Sequence, residues 1–373
     1  MKRKIRLKEP YLKILKVIGF IAFIFLLIFL FYMYQIHQLK EIGYSYQASK
    51  NILFSFKKDY VISVGENKTL NAAFESDDYK GKNLERYAKI KYQNHKHLIQ
   101  NINQLISKGY SDSNISMILE HGSDQDVSDF AKREKIRYLE EFYSISYAKI
   151  KYYDRYVAYS DETGEDEETT VLHVNLDLDQ DDYQNAVSVK KFSFDMLVNK
   201  HRKLSKDFVP DDLIKIDKEY TSESGMKANK TAVLAYIQMA KDADKEGLGL
   251  IINSSYRSYE DQVEICDTYR SLYGDGYVEK FVAQPGYSEH QTGLAFDIGS
   301  TRVNVFANSK EYAWMSEHAY EYGFILRFPK KYESITGFRS EPWHYRYVGK
   351  KIAKYIYEND ITLEEYYAQF LDD

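Results

Sequence analysis

The sequence predicts a C-terminal α+β domain preceded by a transmembrane helix and a mainly helical region. Three observations support this prediction: an apolar run near the N-terminus, short helix-spaced apolar segments in the middle, and mixed helices and short strands towards the C-terminus. The length of 373 residues suits two globular parts beside the apolar run.

Composition narrows the class of protein. The net charge of -5 argues against a general nucleic-acid-binding protein, whose surface would be basic. The single cysteine, Cys266, excludes an intramolecular disulfide and a cysteine-based zinc cluster. Tyr259, Val263 and Cys266 share one face of a predicted helix, so we expect a buried thiol. The 36 tyrosines fit a surface that handles polar polymers, and they also fit plain compositional bias.

The N-terminal segment is predicted to be a membrane anchor. Val17 to Tyr34 is a run of 18 residues without a charge, which is near the minimum for crossing a bilayer. Basic residues dominate the preceding segment, so residues 1–16 are expected in the cytoplasm, 17–36 in the membrane and the rest outside. A cleaved signal peptide is the alternative, but the run is long and no small-residue cleavage site follows it.

Residues 37–194 are predicted to be a mainly helical extracellular region without a catalytic cluster. Helical spacing from Leu98 to Ile106 is followed by Gly109, and Ser111 can cap the next helix. Asp161 to Glu168 is predicted to be a solvated acidic loop, and the alternation from Thr170 to Leu178 predicts a strand. The region could be a spacer, a wall-binding module or a partner-binding module.

Residues 195–373 are predicted to form the C-terminal α+β domain. Thr231 to Glu246 and Ser309 to Tyr322 have helical patterns, and Leu250 to Ile252 is a short apolar strand. Ser258 can cap a helix that has acidic residues in its first turn, where the helix dipole favours them.

Two segments of this domain hold potential metal ligands: Ser288 to Ile298 and Glu341 to Tyr345. A catalytic zinc takes three protein ligands and keeps an open position, which His290, Asp297 and His344 could provide. Gly293 would let the chain bend between the first two ligands. Glu341 is the candidate base, although a turn at Pro342 is needed to bring it beside His344. Spacing alone leaves ordinary buried or surface roles open for all of these residues.

Three sequence motifs, in a particular order, support the metal site beyond what the spacing alone indicates. Ser288 to Asp297 resembles the Ser-x-His-x-x-Gly-x-Ala-x-Asp motif of VanY-like D-alanyl-D-alanine carboxypeptidases. Glu341 to His344 resembles the Glu-x-x-His motif of the same zinc peptidases. Ser254 to Ser258 resembles their Ser-Gly-Tyr-Arg-Ser segment, with Ser255 in place of glycine. The resemblance covers about residues 195–371 and implies the hedgehog-like zinc D,D-peptidase fold.

The resemblance also implies a reaction. One Zn²⁺ would be held by His290, Asp297 and His344, with Glu341 as the catalytic base. Arg257 would stabilise the oxyanion or bind a substrate carboxylate, unless it forms a surface ion pair instead. Three further residues would contact substrate: Gln262, Ser288 and Trp343.

The expected substrate class is peptidoglycan stem peptides, from which a membrane-anchored D,D-carboxypeptidase would remove the terminal D-alanine. The motifs are equally compatible with an L,D-carboxypeptidase that acts on tetrapeptide stems. A non-catalytic, wall-binding membrane scaffold is a third possibility, against which the intact Glu341 argues. The sequence leaves the oligomeric state open.

Overall fold

The computed structural model describes residues 9–134 and 137–371, and the chain divides into two compact units. One unit comprises residues 1–144 and 148–153, and the other comprises 145–147 and 154–373. The predicted boundaries at residues 37 and 195 remain predictions. Of the predicted cytoplasmic segment, residues 1–8 lie outside the described part of the chain.

The first unit begins with α1, Glu9–Ile42. Within it, Tyr11–Ile42 is a candidate membrane span with a mean hydropathy of 3.0 in its most apolar window, and none of that window is buried. Length and composition are compatible with a membrane anchor and with a signal sequence alike. The short helices that follow are α2 Tyr46–Phe54, α3 Lys58–Val64, α4 Lys68–Glu75, α5 Leu84–Lys89, α6 Leu98–Ser107, α7 Asp112–His121, α8 Asp124–Lys132 and α9 Leu139–Tyr143.

Local sequence explains where these helices begin. The side chain of Ser111 accepts a hydrogen bond from the Asn114 amide, as expected for an N-cap before α7. Ser123 and Asp126 form a reciprocal capping box at the start of α8. Each cap satisfies backbone N–H groups that have no partner in the first helical turn.

The second unit contains helices α10 (Tyr153–Thr163, from Asp154 onwards) and α11 (Glu167–Asn175). The strand predicted from Thr170 to Leu178 is therefore wrong. Asp166 caps α11 by accepting from the Thr169 amide, and the buried Val171 and Val174 lie one helical turn apart. The predicted acidic loop shrinks to residues 164–166, because helices occupy both sides of it.

Short strands and helices make up the rest of this unit, so the mixed α/β character is as predicted. Their bounds are β1 Val187–Ser188, β2 Arg202–Lys203, β3 Leu213–Lys215, β4 Lys227–Asn229, α12 Lys230–Lys245, β5 Leu250–Ser254, α13 Tyr259–Tyr273, α14 Asp275–Phe281, β6 Ala295–Ser300, α15 Lys310–His318, β7 Phe324–Leu326, α16 Glu333–Thr336, β8 His344–Tyr347, α17 Lys350–Asn359 and α18 Leu363–Phe370.

The central sheet is antiparallel with the strand order β5-β6-β8-β7. Because successive side chains of a strand point to opposite faces, each strand presents two different surfaces. Phe296 and Ile298 of β6 and Tyr345 of β8 join the hydrophobic core, which also contains Tyr236 of α12. The opposite face of β6 and β8 is left for polar residues.

Two predicted details of this unit hold in the structure. Ser258 caps α13 by accepting from the Asp261 amide, and the Asp261 side chain completes a capping box. Cys266 is buried, and its thiol lies 3.5 Å from the carbonyl oxygen of Ala283. Burial raises the pKa of this thiol, so it acts as a small apolar residue in the packing of α13.

Candidate metal centre and active site

The register of the central sheet brings two predicted metal ligands together. Asp297 of β6 is paired directly with His344 of β8. Directly opposed residues on adjacent antiparallel strands have their Cβ atoms about 5 Å apart, so both side chains emerge side by side on the polar face. His344 Nδ1 lies 3.2 Å from Asp297 Oδ1.

The third predicted ligand, His290, comes from a short 3₁₀ helix, Glu289–Thr292, that precedes β6. Gly293 ends this helix with φ +68°, which bends the chain. Residues with a Cβ atom rarely adopt this backbone conformation. His290 Nε2 lies 3.5 Å from Asp297 Oδ2. Its other ring nitrogen, Nδ1, donates to the carbonyl oxygen of Ser255 at 2.7 Å. That hydrogen bond fixes the tautomer in which Nε2 offers a free lone pair.

The geometry of His290, Asp297 and His344 fits a single zinc ion. Their potential donor atoms all lie within 4.8 Å of one another, and the two closest pairs are 3.2 and 3.5 Å apart. Tetrahedral ligands about 2.0–2.1 Å from zinc would be separated by about 3.3 Å. Asp297 Oδ1 is buried without a hydrogen-bond partner among the described residues, which leaves a lone pair available to a cation.

Electrostatics at the three residues also favour a bound cation. Burial lowers the pKa of His290, which keeps its imidazole neutral and able to bind metal. Burial would raise the pKa of Asp297, but the adjacent His290 and His344 hold it well below its usual value. Burial opposes a charge on His344 too, yet nearby carboxylates raise its pKa to about 9. The carboxylates that favour a proton on His344 equally favour a metal ion there.

Glu341 lies beside this cluster because the chain turns at Pro342 and Trp343. The turn is closed by the His344 amide, which donates to the Glu341 carbonyl oxygen at 3.1 Å. Glu341 Oε2 is 3.5 Å from His344 Nδ1, the atom that faces the potential metal position. Burial raises the pKa of the Glu341 carboxyl, although the positive charges of His344 and Arg257 oppose the rise. The turn that the sequence required is therefore present.

The carboxylate of Glu289, to which sequence analysis gave no role, lies behind His344. Glu289 Oε2 lies 3.4 Å from His344 Nε2, on the side of the ring away from Asp297. Glu289 Oε1 accepts from Arg327 Nε and from Arg346 Nη1, each at 2.8 Å. All of these side chains are almost fully buried. Burial would raise the pKa of Glu289, but the two guanidinium groups hold it far below its usual value.

Arg257 is held in place on another side of the cluster. Its Nη1 donates to Gln262 Oε1 at 2.7 Å, and its Nη2 donates to Ser254 Oγ at 3.1 Å. Gln262 is itself fixed by donating to the Ala283 carbonyl oxygen at 2.7 Å. Arg257 is half-buried and is braced by these two hydrogen bonds, and its role stays a prediction. Burial lowers the pKa of Arg257, and the negative charge of Asp297 opposes that change.

The predicted metal ligands, catalytic residues and substrate-binding residues all line one cavity of about 300 Å³. Ser288 is buried in its wall, whereas Trp343 is 44% exposed at its edge. Aromatic and apolar side chains complete the lining, which suits a pocket for a small peptide end. The predicted residues in the lining are Arg257, Gln262, Ser288, His290, Asp297, Glu341, Trp343 and His344.

Comparison with known proteins identifies the class to which this fold and site belong. The family model "VanY: D-alanyl-D-alanine carboxypeptidase" matches residues 225–350. "Putative carboxypeptidase YodJ" of Bacillus subtilis (strain 168) is 46% identical over 182 residues, which are 46% of this chain and 66% of that protein. The D-alanyl-D-alanine carboxypeptidase of Enterococcus faecalis (strain ATCC 700802 / V583) is 42% identical over 141 residues, covering 35% of this chain and 52% of its own length. The chain therefore spans about half to two thirds of these relatives.

Solved structures also match part of this chain in sequence. The LdcB LD-carboxypeptidase is 41% identical, with 50% of this chain and 91% of that chain covered and a TM-score of 0.46. A mutant of the D,D-pentapeptidase VanY from the VanB-type resistance cassette, solved in complex with Zn(II), is 33% identical. The match covers 46% of this chain and 97% of that chain, with a TM-score of 0.42. The chain therefore contains a domain of the VanY family of D-alanyl-D-alanine carboxypeptidases, over residues 225–350.

Proposed function

We propose that this protein is a membrane-anchored zinc carboxypeptidase that removes the terminal D-alanine from peptidoglycan stem peptides. The observation that carries the proposal is the convergence of two imidazoles, one carboxylate ligand and a separate glutamate in one small cavity. The VanY-family domain supports the substrate class. The D-alanyl-D-alanine carboxypeptidases of Enterococcus faecalis and Enterococcus faecium support it as well.

In this proposal His290, Asp297 and His344 hold one zinc ion. When bound, zinc polarises the scissile carbonyl and lowers the pKa of water at the site. Glu341 accepts the proton of the attacking water and passes it to the leaving amine, for which its position beside His344 is suited. Arg257 offers a fixed positive charge to the oxyanion or to the substrate carboxylate.

The remaining predicted residues would bind substrate. Gln262 keeps the Arg257 guanidinium in one orientation, and Ser288 offers a hydroxyl from the cavity wall. Trp343 places a large ring at the cavity edge, where it would cover the substrate and exclude water. Water exclusion strengthens the electrostatic contacts within the cavity.

The helix α1 would anchor the enzyme, with the catalytic unit on the outer face of the membrane. Its apolar stretch is long enough to cross a bilayer, and the basic residues before it favour the cytoplasmic side. An outward-facing site would have stem peptides within reach.

An L,D-carboxypeptidase activity is the second candidate, because LdcB, an LD-carboxypeptidase, is 41% identical to this chain. Digestion of purified muropeptides followed by mass spectrometry separates the two. Our proposal predicts loss of one D-alanine from pentapeptide stems. Loss of D-alanine from tetrapeptide stems alone would establish the second candidate. If zinc binds and no stem is shortened, both enzyme candidates are wrong and the non-catalytic scaffold remains.

A further inference from the structure

A row of four aromatic side chains, three exposed and one half-buried, runs away from the cavity along α13 and α14. We call Tyr269, Tyr273, Tyr277 and Phe281 the aromatic ladder. The ring centroids of Tyr269 and Tyr277 are 5.9 Å apart with an interplanar angle of 5°. Tyr277 is also 4.7 Å from Tyr273 and 4.7 Å from Phe281. The ladder is therefore a continuous surface of packed rings.

This surface is open to solvent. Tyr273 is 60% exposed, Tyr269 38% and Phe281 36%, although aromatic rings normally favour burial. Contiguous exposed apolar surface of this kind marks a binding site more often than isolated exposed residues do. Tyrosine is also well suited to bind polar polymers, because it offers a rigid flat face and a hydroxyl at low conformational cost.

The ladder is continuous with the catalytic cavity. Tyr269, Tyr277 and Phe281 line the cavity that contains Glu341, whereas Tyr273 lies beyond it on the same helix. Gln262, which braces Arg257, begins the same face of α13, and Ile265 lies between it and Tyr269 in the cavity lining. The part of a bound substrate that extends out of the cavity would therefore contact the ladder.

Distances along the helix match the size of a stem peptide. At 1.5 Å per residue, Tyr269 lies about 10 Å and Tyr273 about 16 Å beyond Gln262 along α13. Four extended residues separate the sugar from the bond that a D,D-carboxypeptidase cuts, and they span about 13–14 Å at ~3.3–3.6 Å each. A stem peptide bound in the cavity would therefore be long enough to bring its sugar end to the ladder.

We propose that the aromatic ladder is a glycan subsite that binds the N-acetylated sugar strand to which the stem peptide is attached. This inference rests on the proposed function for the direction of the substrate. The apolar C–H faces of pyranose rings would pack on the tyrosine rings, and the phenol groups would bond sugar hydroxyl and acetamide groups. Both charge signs surround the ladder, because Arg270 pairs with Asp267 and Asp275. A surface with both charge signs suits an uncharged sugar better than a purely anionic surface would.

The decisive test is binding of peptide-free peptidoglycan glycan strands to the full-length protein in detergent micelles, measured by calorimetry. We expect the wild type to bind and Tyr273→Ala to bind about tenfold more weakly, as for loss of one aromatic contact. Tyr273→Phe should retain most of the affinity. Leu272→Ala is the matched control, because Leu272 is 65% exposed on the same helix but outside the ladder.

Absence of binding by the wild type, or equal binding by Tyr273→Ala, overturns the glycan subsite and leaves the ladder to a lipid or protein partner. Hydrolysis of the free pentapeptide by the same wild-type preparation reports separately on the proposed function. Strand binding without hydrolysis would therefore contradict the enzyme proposal alone, and hydrolysis without strand binding would contradict the subsite alone.

Discussion

Replacing Glu289 with glutamine keeps the size of the side chain and removes the charge that links His344 to two buried arginines. Glu289 Oε1 accepts from Arg327 and Arg346, and Oε2 lies 3.4 Å from His344 Nε2. Arg327 would keep its two hydrogen bonds to Glu364. Among the described residues, Arg346 would be left without a carboxylate partner, and its other hydrogen bonds go to backbone carbonyl oxygens.

The expected losses follow from these contacts. Removing one member of a buried ion pair costs about 3–5 kcal/mol, because the other charge is left uncompensated. At the lower end, that cost corresponds to a fall of about 6–12 °C in Tm for a domain of this size. The carboxylate behind a metal-binding histidine is worth about 10–100-fold in metal affinity. We therefore expect Glu289→Gln to lower both Tm and zinc affinity.

Glu364→Gln separates the two effects. Glu364 is buried and bonds Arg327, as Glu289 does, but it lies on α18 and has no contact with His344 among the described residues. Thermal unfolding with a chelator present would compare the stabilities, and competition with a chromophoric chelator would compare zinc affinities. We expect both variants to lose stability and only Glu289→Gln to lose zinc affinity. Equal zinc affinity in the two variants would refute the orienting role of Glu289.

Three further outcomes are expected. Gly293→Ala should destabilise the fold by about 1–3 kcal/mol in urea denaturation, because φ is +68° and a new Cβ would lie 2.9 Å from Leu213 Cδ2; unchanged stability would contradict the turn described. Arg257→Lys should lower kcat/KM about 100-fold with full zinc content, because an ammonium cannot replace the guanidinium that Gln262 braces and that we propose binds the oxyanion or the substrate carboxylate. Protein carrying α1 should stay in the membrane fraction after carbonate washing, and its release would instead indicate a cleaved signal sequence.

The composition of the site could be predicted from sequence because its residues fall in short ordered motifs. His290 and Asp297 are seven positions apart, and a single glycine turn followed by a strand determines how they meet. Glu341 and His344 are three positions apart, and Pro342 excluded the regular strand that would have separated them. Spacing alone left other roles open for these residues, so the prediction rested on the resemblance of the ordered motifs, and local geometry explains how each motif folds.

The role of Glu289 depends instead on contacts made by distant parts of the chain. Arg327 and Arg346 reach it across 38 and 57 positions, so nothing near Glu289 indicates its partners. An acid directly before a predicted metal-binding histidine was the only local sign. The aromatic ladder is similar, because Tyr269 and Tyr277 stack only once α13 and α14 have folded against each other.

The failed strand at Thr170 to Leu178 has a different cause. β-Branched residues such as Val171 and Val174 favour strands, and apolar and polar residues alternate from Val174 to Leu178 as they would in a strand. The Asp166 cap and burial at helical spacing outweigh that preference. The secondary structure of such short segments depends more on tertiary packing than on the intrinsic helix or strand propensity of their residues.

The central claim is that zinc and Glu341 together hydrolyse the end of a stem peptide. The most direct measurement is turnover of a pentapeptide stem by wild type and Glu341→Gln, each with its zinc content determined. We predict about one zinc ion per chain in both proteins and a fall of about 10²–10⁴-fold in kcat for the variant, since it lacks a proton acceptor. Equal turnover by the two zinc-loaded proteins, or turnover by wild type that persists after complete zinc removal, would contradict the account.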